Sequence, residues 1–311
     1  MPDVVLVHIG CTTGPIITSS RPPELFLHCV QQYFTFNDGA LYILTDRENI
    51  PYLPKHDKVI PVALEDYHSN KIGRFHAVYE HGVRDFWTAC ATRFMYLENF
   101  LQKNNLCNIC HFDNDVLVYF NLADYRDTFQ RLYPKLAITP ESPQRASAIF
   151  MYIDGYEALA RMTDFFIEEL EQHGEYGLAE MYGTNVMNEM LLISAYEREH
   201  KEGLVYLPII PFGKHSLGYD AFEAIFDPGS WGEVVDGTRK GKTVGWHAPG
   251  AYISQLLKQH PSYTVIWETE NDLKCPYLKH DGKLTKINNL HIHTKNLAAF
   301  VSKQTVGGSN A

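Results

Sequence analysis

The 311-residue sequence has no apolar run that approaches the roughly 20 residues of a membrane-spanning helix. Its first residues, MPDVVLVHIG, lack the basic leader and cleavage site of a signal peptide. The sequence also lacks a basic excess, because 27 lysine and arginine residues stand against 37 aspartate and glutamate residues, for a formal net charge of −10. A nucleic-acid backbone requires a basic face, so this balance argues against DNA or RNA as the main partner. We therefore expect a cytoplasmic protein with no membrane span.

Cysteine is scarce and does not form the dense framework of a small disulfide-stabilised domain. One local pattern, Cys107 to His111, has the C-x-x-C-H spacing of a c-type haem attachment site. That function requires export and a pocket of haem size, and no export signal is present. The simpler interpretation is a buried strand in which Cys107 and Cys110 pack as small core residues.

Internal repeats and linkers are absent too, so we expect a single domain over residues 1–303, followed by a flexible tail over 304–311. Short apolar segments punctuated by glycine, proline and asparagine alternate with helical periodicity, which is typical of an α/β fold. Strands are predicted over residues 4–9, 41–44, 58–62, 106–112, 116–119, 136–139, 148–153 and 205–210. Helices are predicted over residues 22–33, 86–104 and 185–198, and from the capping-box spacing of Asp154 and Glu157 to just before Gly174.

The motif Phe112-Asp113-Asn114-Asp115-Val116 places two carboxylates between two apolar strands. A polar turn would account for the asparagine, but it does not need both acids, which repel each other unless a cation joins them. Carboxylates at this spacing can reach one hard cation such as Mn²⁺ or Mg²⁺, whose other positions accept phosphate oxygens. We therefore predict that Asp113 and Asp115 are metal ligands.

A second polar pattern lies in residues 288–297. On an extended segment, His291, His293 and Lys295 project to one side. Imidazole is an ordinary metal ligand, and lysine can bind phosphate as a point charge. The alternative is an exposed polar strand, since the 15 histidines of the sequence make chance pairs common. Taken with the two acids, the segment would supply a third metal ligand and a phosphate-binding cation.

The order of these features resembles the GT-A superfamily of metal-dependent glycosyltransferases, which use nucleotide-sugar donors. The resemblance covers most of the chain and includes strand 41–44 ending in Asp46, Arg93-Phe94 on the helix before the D-x-D strand, and the strand around Ser147. It is closest to glycogenin, the bacterial lipopolysaccharide galactosyltransferases and the capsule-type transferases of bacteria and large viruses; a viral source would imply the host cytoplasm. Glycogenin has a glycine between the histidine and the lysine and a Pro-Trp afterwards, so assignment to glycogenin itself does not follow.

The resemblance implies a GT-A-like fold, a Rossmann-like central mixed sheet flanked by helices. Residues 1–120 would mainly bind the nucleotide, and residues 121–303 would mainly form the acceptor side and the C-terminal metal and phosphate segment. The implied metal ligands are Asp113, Asp115 and one of His291 or His293. The implied donor-binding residues are Gly10, Asp46, Arg93, Asn114 and Lys295.

The acceptor side is predicted from the start of the helix over 185–198. An inverting enzyme needs a general base near the acceptor hydroxyl, and Glu189 is the candidate. A retaining enzyme of this type needs no such base, and Asn185 or Asn188 would then line the sugar. Glu189 as a solvated helix residue is the alternative. In the loop over residues 226–232, Trp231 either stacks on a sugar or packs the loop.

Together these features predict a Mn²⁺- or Mg²⁺-dependent hexosyl- or pentosyltransferase of glycan or polysaccharide synthesis. It would move a sugar from a UDP-sugar to a hydroxyl of a glycan or another acceptor. A nucleotidyltransferase is one alternative, although the loop from Gly10 to Gly14 lacks the basic residues such enzymes carry there. A non-catalytic sugar- or nucleotide-binding protein on the same fold is the other.

Overall fold

The structure is a computed structural model that describes residues 3–10, 25–79, 85–184, 187–238 and 250–303. The strands are β1 (Val4–His8), β2 (Leu41–Thr45), β3 (Val59–Ala63), β4 (Cys107–Phe112), β5 (Val116–Val118), β6 (Leu136–Ser142), β7 (Arg145–Gly155), β8 (Leu204–Tyr206), β9 (Ala224–Ile225), β10 (Thr264–Glu270), β11 (Leu273–His280), β12 (Lys283–Ile287) and β13 (Asn289–His291). The helices are α1 (Leu25–Phe36), α2 (Asn70–Val78), α3 (Phe86–Asn104), α4 (Arg126–Leu132), α5 (Tyr156–Met181), α6 (Glu189–Glu199), α7 (Tyr219–Phe222), α8 (Ser230–Asp236) and α9 (Tyr252–Gln259). No described helix combines the length and the apolar content needed to cross a membrane.

The central sheet has the strand order β3-β2-β1-β4-β7-β6-β8. The strands β3, β2, β1 and β4 run parallel, and β6 and β8 are parallel to each other. β7 is antiparallel to both of its neighbours, β4 and β6. The sheet is therefore mixed and flanked by helices, which confirms the predicted α/β fold class.

Apolar residues alternate between two cores on the two faces of this sheet. Val4 and Leu6 of β1 pack in the core that contains α1 and β5, whereas Val5 and Val7 pack in the core that contains α2, α3, α5 and α6. Successive side chains of a strand point to opposite faces, so a strand covered on both faces reads as a continuous apolar run. This explains why the apolar run of β1 predicts a strand from the sequence alone.

A second sheet has the order β10-β11-β12-β9, and β13 pairs antiparallel with β5 in a separate two-stranded ladder. In that ladder His291 lies opposite Val116, the residue that follows the D-x-D motif. The ladder therefore brings the C-terminal polar segment beside the two acids.

Several predicted details differ from the structure. α5 begins at Tyr156 with Gly155 as its N-cap, because Asp154 belongs to β7, so the predicted capping box is wrong. The helical backbone breaks at Gly174, as predicted, but a second helical segment continues to Met181. The predicted strand over 205–210 is confined to β8. The predicted tail over 304–311 lies outside the described residues.

Candidate active site

The D-x-D motif lies where the strand order of the central sheet changes direction. From β1 the sheet extends to β2 and β3 on one side and to β4 on the other. In open α/β sheets, ligands bind at the carboxyl ends of the strands at such a switch point. There Asn114 Nδ2 lies 3.0 Å from His8 Nδ1, which joins the ends of β4 and β1. The motif therefore borders the crevice in which a nucleotide is expected.

Asp113 is paired with Arg93 of α3. Arg93 donates a hydrogen bond of 2.6 Å to Asp113 Oδ1, and the two side chains are only 12% and 20% exposed. Burial raises the pKa of Asp113, the charge of Arg93 opposes that shift, and the neighbouring Asp115 adds to it. Arg93 was expected to contact phosphate or nucleotide, and here its guanidinium orients one of the two acids.

Asp115 is contacted from the C-terminal segment by two side chains. Lys295 Nζ donates to Asp115 Oδ2, and His291 Nε2 lies 3.1 Å from Asp115 Oδ1. Burial acts to raise the pKa of Asp115, but the charges of His291 and Lys295 and the hydrogen bond from Lys295 outweigh it, and this pKa lies well below its ordinary value. Asp115 is therefore ionised at neutral pH.

A turn rather than one extended strand brings Lys295 to this carboxylate. The Ile292 amide donates to the Asp115 carbonyl oxygen, and the Lys295 amide donates to the Ile292 carbonyl oxygen. Lys295 itself has a positive φ of 61°. His293 Nε2 lies 2.8 Å from the Gly229 carbonyl oxygen, and the His293 ring packs against that of His291, with the centroids 4.3 Å apart. Of the two candidate histidines, His291 is the one beside Asp115.

The expected donor-binding residues Gly10 and Asp46 contact each other at the ends of β1 and β2. The Gly10 amide donates to Asp46 Oδ2 over 3.0 Å. Burial lowers the pKa of the neighbouring His8, and the charge of Asp46 opposes that shift. Gly10, Asp46 and Asn114 are thus collected at the same end of the sheet.

Glu189 is the first residue of α6 and is not solvated. Only 7% of the residue is exposed, and its Oε2 is buried without a hydrogen-bond partner among the described residues. Burial raises its pKa, Arg93 opposes the shift and Asp113 adds to it. Glu189 therefore belongs to the same electrostatic cluster as the D-x-D acids, and the solvated alternative is wrong.

The amides proposed beside Glu189 are only partly described. Asn188 is the N-cap of α6, and its Oδ1 accepts a hydrogen bond of 3.1 Å from the Leu191 amide. Its side-chain oxygen is thus engaged in the start of the helix. Asn185 lies outside the described residues.

Burial decides one open alternative and corrects one expectation. Trp231 is fully buried and its Nε1 donates to the Ile209 carbonyl oxygen over 3.0 Å, so it is a core residue and cannot stack on a sugar. Cys110 is buried as expected, whereas Cys107 is exposed. Both thiols are free.

Asp227 is a residue that the sequence reasoning missed. It is fully buried and accepts hydrogen bonds from backbone amides of the first turn of α8 and from the amide of His291. The available signal was its position before a Pro-Gly-Ser sequence, because aspartate often caps a helix start in this way.

The site residues fit a hard divalent cation by their chemistry. Asp113, Asp115 and His291 supply oxygen and nitrogen donors of the kind that bind Mn²⁺. Asp115 Oδ1 is also a buried acceptor that receives no hydrogen bond of regular geometry, with His291 Nε2 beside it. Among the described residues no three such side chains are already grouped for a metal, and Arg93 and Lys295 each hold one acid instead.

No protein-family model and no curated protein sequence matches the chain. Solved structures similar to it include apo mouse xyloside xylosyltransferase 1, with a TM-score of 0.45 and 11% identity over 67% of this chain and 85% of that one. The PaToxG glycosyltransferase has a TM-score of 0.37 and 8% identity over 64% and 69% of the two chains. The galactosyltransferase LgtC, in complex with donor and acceptor sugar analogues, has a TM-score of 0.35 and 13% identity over 66% and 73%. All three are glycosyltransferases. At these TM-scores the likeness supports no conclusion about function, so the function is proposed below from the residues of this chain alone.

Proposed function

We propose that the protein is a metal-dependent glycosyltransferase that moves a sugar from a UDP-sugar to a hydroxyl of a glycan or another acceptor. One observation carries the proposal: at the switch point of the sheet, Asp113 and Asp115 meet the cationic groups of Arg93 and Lys295 and the imidazole of His291. A cluster of this composition can hold a diphosphate through a divalent cation and a lysine.

Each charged residue has a separate task in this proposal. Asp115 and His291 would hold Mn²⁺ or Mg²⁺, with Asp113 as the third ligand. The bound cation supplies Lewis-acid neutralisation of the leaving diphosphate. Lys295 would move its ammonium from Asp115 Oδ2 to a phosphate oxygen and stabilise the charge that develops as the sugar–oxygen bond breaks. Arg93 would keep Asp113 oriented and ionised against the burial that raises its pKa.

The nucleoside would lie over the ends of β1 and β2. The Gly10 amide donates to Asp46 Oδ2 and so helps to fix the carboxylate at the strand ends, where it would meet a ribose hydroxyl. Asn114 is held by His8 at the adjacent strand end. These residues would position the donor so that its diphosphate reaches Asp115.

Glu189 would act on the acceptor side. Because burial raises its pKa, it is a better proton acceptor than an ordinary glutamate, and in an inverting reaction it would take the proton of the acceptor hydroxyl. In a retaining reaction Asn185 or Asn188 would instead line the transferred sugar. The stereochemistry of the product decides between the two routes.

The test combines UDP binding with product analysis. The melting temperature is measured with UDP in the presence of Mn²⁺ or EDTA, and released nucleotides are separated after incubation with UDP-sugars and Mn²⁺. We expect stabilisation that depends on Mn²⁺, release of UDP, and loss of both in Asp115→Asn. Asp38→Asn is the matched control, because it removes the same charge from a fully exposed side chain.

Other outcomes would contradict the proposal in different ways. Release of pyrophosphate from a nucleoside triphosphate in the presence of a sugar phosphate would identify a nucleotidyltransferase. Binding of UDP without any turnover would identify a binding protein. Equal stabilisation by UDP with Mn²⁺ and with EDTA would exclude the metal–diphosphate arrangement.

A further inference from the structure

We propose that α8 is a brace for the segment His291–Lys295, and that Asp227 and Asp236 at its two ends are positioning residues for the site. The inference rests on the proposed function, because the position of this segment matters for catalysis only if His291 and Lys295 serve the donor diphosphate. Neither aspartate contacts Asp113 or Asp115 in any described hydrogen bond.

Asp227 joins the start of α8 to the backbone of His291. Its Oδ1 accepts from the amides of Gly229 and Trp231, at 2.7 and 2.8 Å. Its Oδ2 accepts from the amides of Gly232 and His291, at 3.0 and 2.9 Å. One fully buried carboxylate thus serves four backbone donors, one at the N-cap Gly229, two in the first turn of α8 and one in β13. Three of these hydrogen bonds are buried and the one from His291 is partly buried, so loss of the carboxylate would leave amides that water cannot reach without opening the structure.

The same helix holds the segment at two further points. Near its start, the Gly229 carbonyl oxygen lies 2.8 Å from His293 Nε2. At its end, Asp236 Oδ2 accepts from the Thr294 amide over 2.9 Å. The backbone amides of residues 291 and 294 and the side chain of His293 are therefore held by α8 and the residues that flank it, before and within the turn that presents Lys295 to Asp115.

Gly232 sets the distance between the helix and the strand. A Cβ atom at this position would lie 1.8 Å from the His291 carbonyl oxygen, a separation that no real contact reaches. Only glycine permits the backbone of α8 to touch the backbone of β13. A methyl group at residue 232 must therefore push His291 away, although the substitution replaces no charged residue of the site.

The geometry at Asp115 explains why such a displacement matters. His291 Nε2 lies 3.1 Å from Asp115 Oδ1, so the two potential ligands are already adjacent. Productive sites tolerate errors of about 0.5 Å in the positions of their functional groups. Removal of a residue that orients a metal ligand commonly weakens metal binding by about 10- to 100-fold.

The experiment compares Asp227→Asn, Gly232→Ala and Asp236→Ala with the full-length wild-type protein. Mn²⁺ affinity is measured by electron paramagnetic resonance, and hydrogen exchange is followed in peptides that cover residues 288–296. We expect about 10- to 100-fold weaker Mn²⁺ binding in Asp227→Asn and Gly232→Ala, a smaller loss in Asp236→Ala, and faster exchange at His291 and Thr294. Asn121→Ala is the matched control, because it removes a cap hydrogen bond to the Ala123 amide away from the site.

Each outcome decides the inference. Wild-type Mn²⁺ affinity and unchanged exchange in both Asp227→Asn and Gly232→Ala would overturn it. If Asp227→Asn does not fold, Gly232→Ala and Asp236→Ala carry the same test. If the wild-type protein itself binds no Mn²⁺, with or without UDP, the proposed function fails, and the exchange rates at residues 288–296 alone decide whether α8 holds the segment.

Discussion

Replacement of Lys295 by alanine is expected to lower turnover without weakening metal binding. The lysine ammonium occupies Asp115 Oδ2, an oxygen that a bound cation would also use. Its removal should therefore leave Mn²⁺ affinity unchanged or raise it. The increase should be about fivefold or somewhat more, because an exposed ion pair is worth about 0–1 kcal/mol and this pair is partly buried, with the lysine side chain 42% and the Asp115 side chain 13% exposed.

Turnover should fall in the same variant. Lys295 would meet the β-phosphate only as negative charge develops on it, and an interaction that strengthens in the transition state lowers kcat when it is lost. The loss of one charge-stabilising donor costs about two to three orders of magnitude in kcat. A lysine that contributed equally to ground-state and transition-state binding would instead raise KM alone.

The assay pairs Mn²⁺ titration by electron paramagnetic resonance, without nucleotide, with steady-state kinetics of UDP release. Lys286→Ala is the control, because Lys286 also pairs with a carboxylate, that of Glu270 at 2.7 Å, but lies on the second sheet. Full kcat in Lys295→Ala, or a loss of Mn²⁺ affinity that matches the loss of kcat, would refute the assignment of this lysine to the leaving group.

Three further predictions concern other residues. Asp115→Asn should reduce kcat more than Lys295→Ala and abolish Mn²⁺-dependent stabilisation by UDP, because it removes a metal ligand; a melting shift like that of the wild type would contradict this. Glu189→Gln should lower kcat by about two orders of magnitude or more. It should also remove the rise of the rate with pH above the ordinary glutamate range, because burial raises the pKa of this base. A mild loss of kcat would indicate a retaining route. Burial lowers the pKa of His280, and the charge of Asp281 opposes that shift. The free energy of unfolding should therefore fall as the pH drops below 6.5, because the unfolded chain takes up a proton that the folded His280 does not. Urea unfolding of His280→Gln should show a free energy that depends less on pH, and the same pH dependence as in the wild type would contradict this.

The sequence predicts the central elements well because their signals are local. β1 and β2 are uninterrupted apolar runs, since helices cover both faces of the sheet. α3 ends where predicted because Asn105 adopts a left-handed conformation, with φ of 50°, that asparagine accepts readily. The position of the D-x-D acids at a strand end followed from the same patterning.

The parts of the site that the sequence does not predict depend on contacts between distant parts of the chain. Trp231 looks available in a glycine-rich loop, but its indole finds a carbonyl partner 22 residues away and becomes core. Lys295 meets Asp115 across 180 residues, and Asp227 holds His291 across 64. Periodicity and turn chemistry describe neighbours in sequence, so they cannot reveal which segments a sheet brings together. The sequence makes His291 and His293 equally good candidates for a metal ligand. Only the turn after β13 shows that His291 is the one beside Asp115.

The central claim is that Asp115 and His291 hold a cation that binds the donor diphosphate. Diffraction at the manganese absorption edge, from crystals grown with UDP and Mn²⁺, tests it most directly. We expect an anomalous peak between Asp115 and His291, with the diphosphate bound to it and the Lys295 ammonium moved from Asp115 to a phosphate oxygen. UDP bound elsewhere, or a manganese peak away from Asp115 while the Lys295–Asp115 contact persists, would contradict the claim.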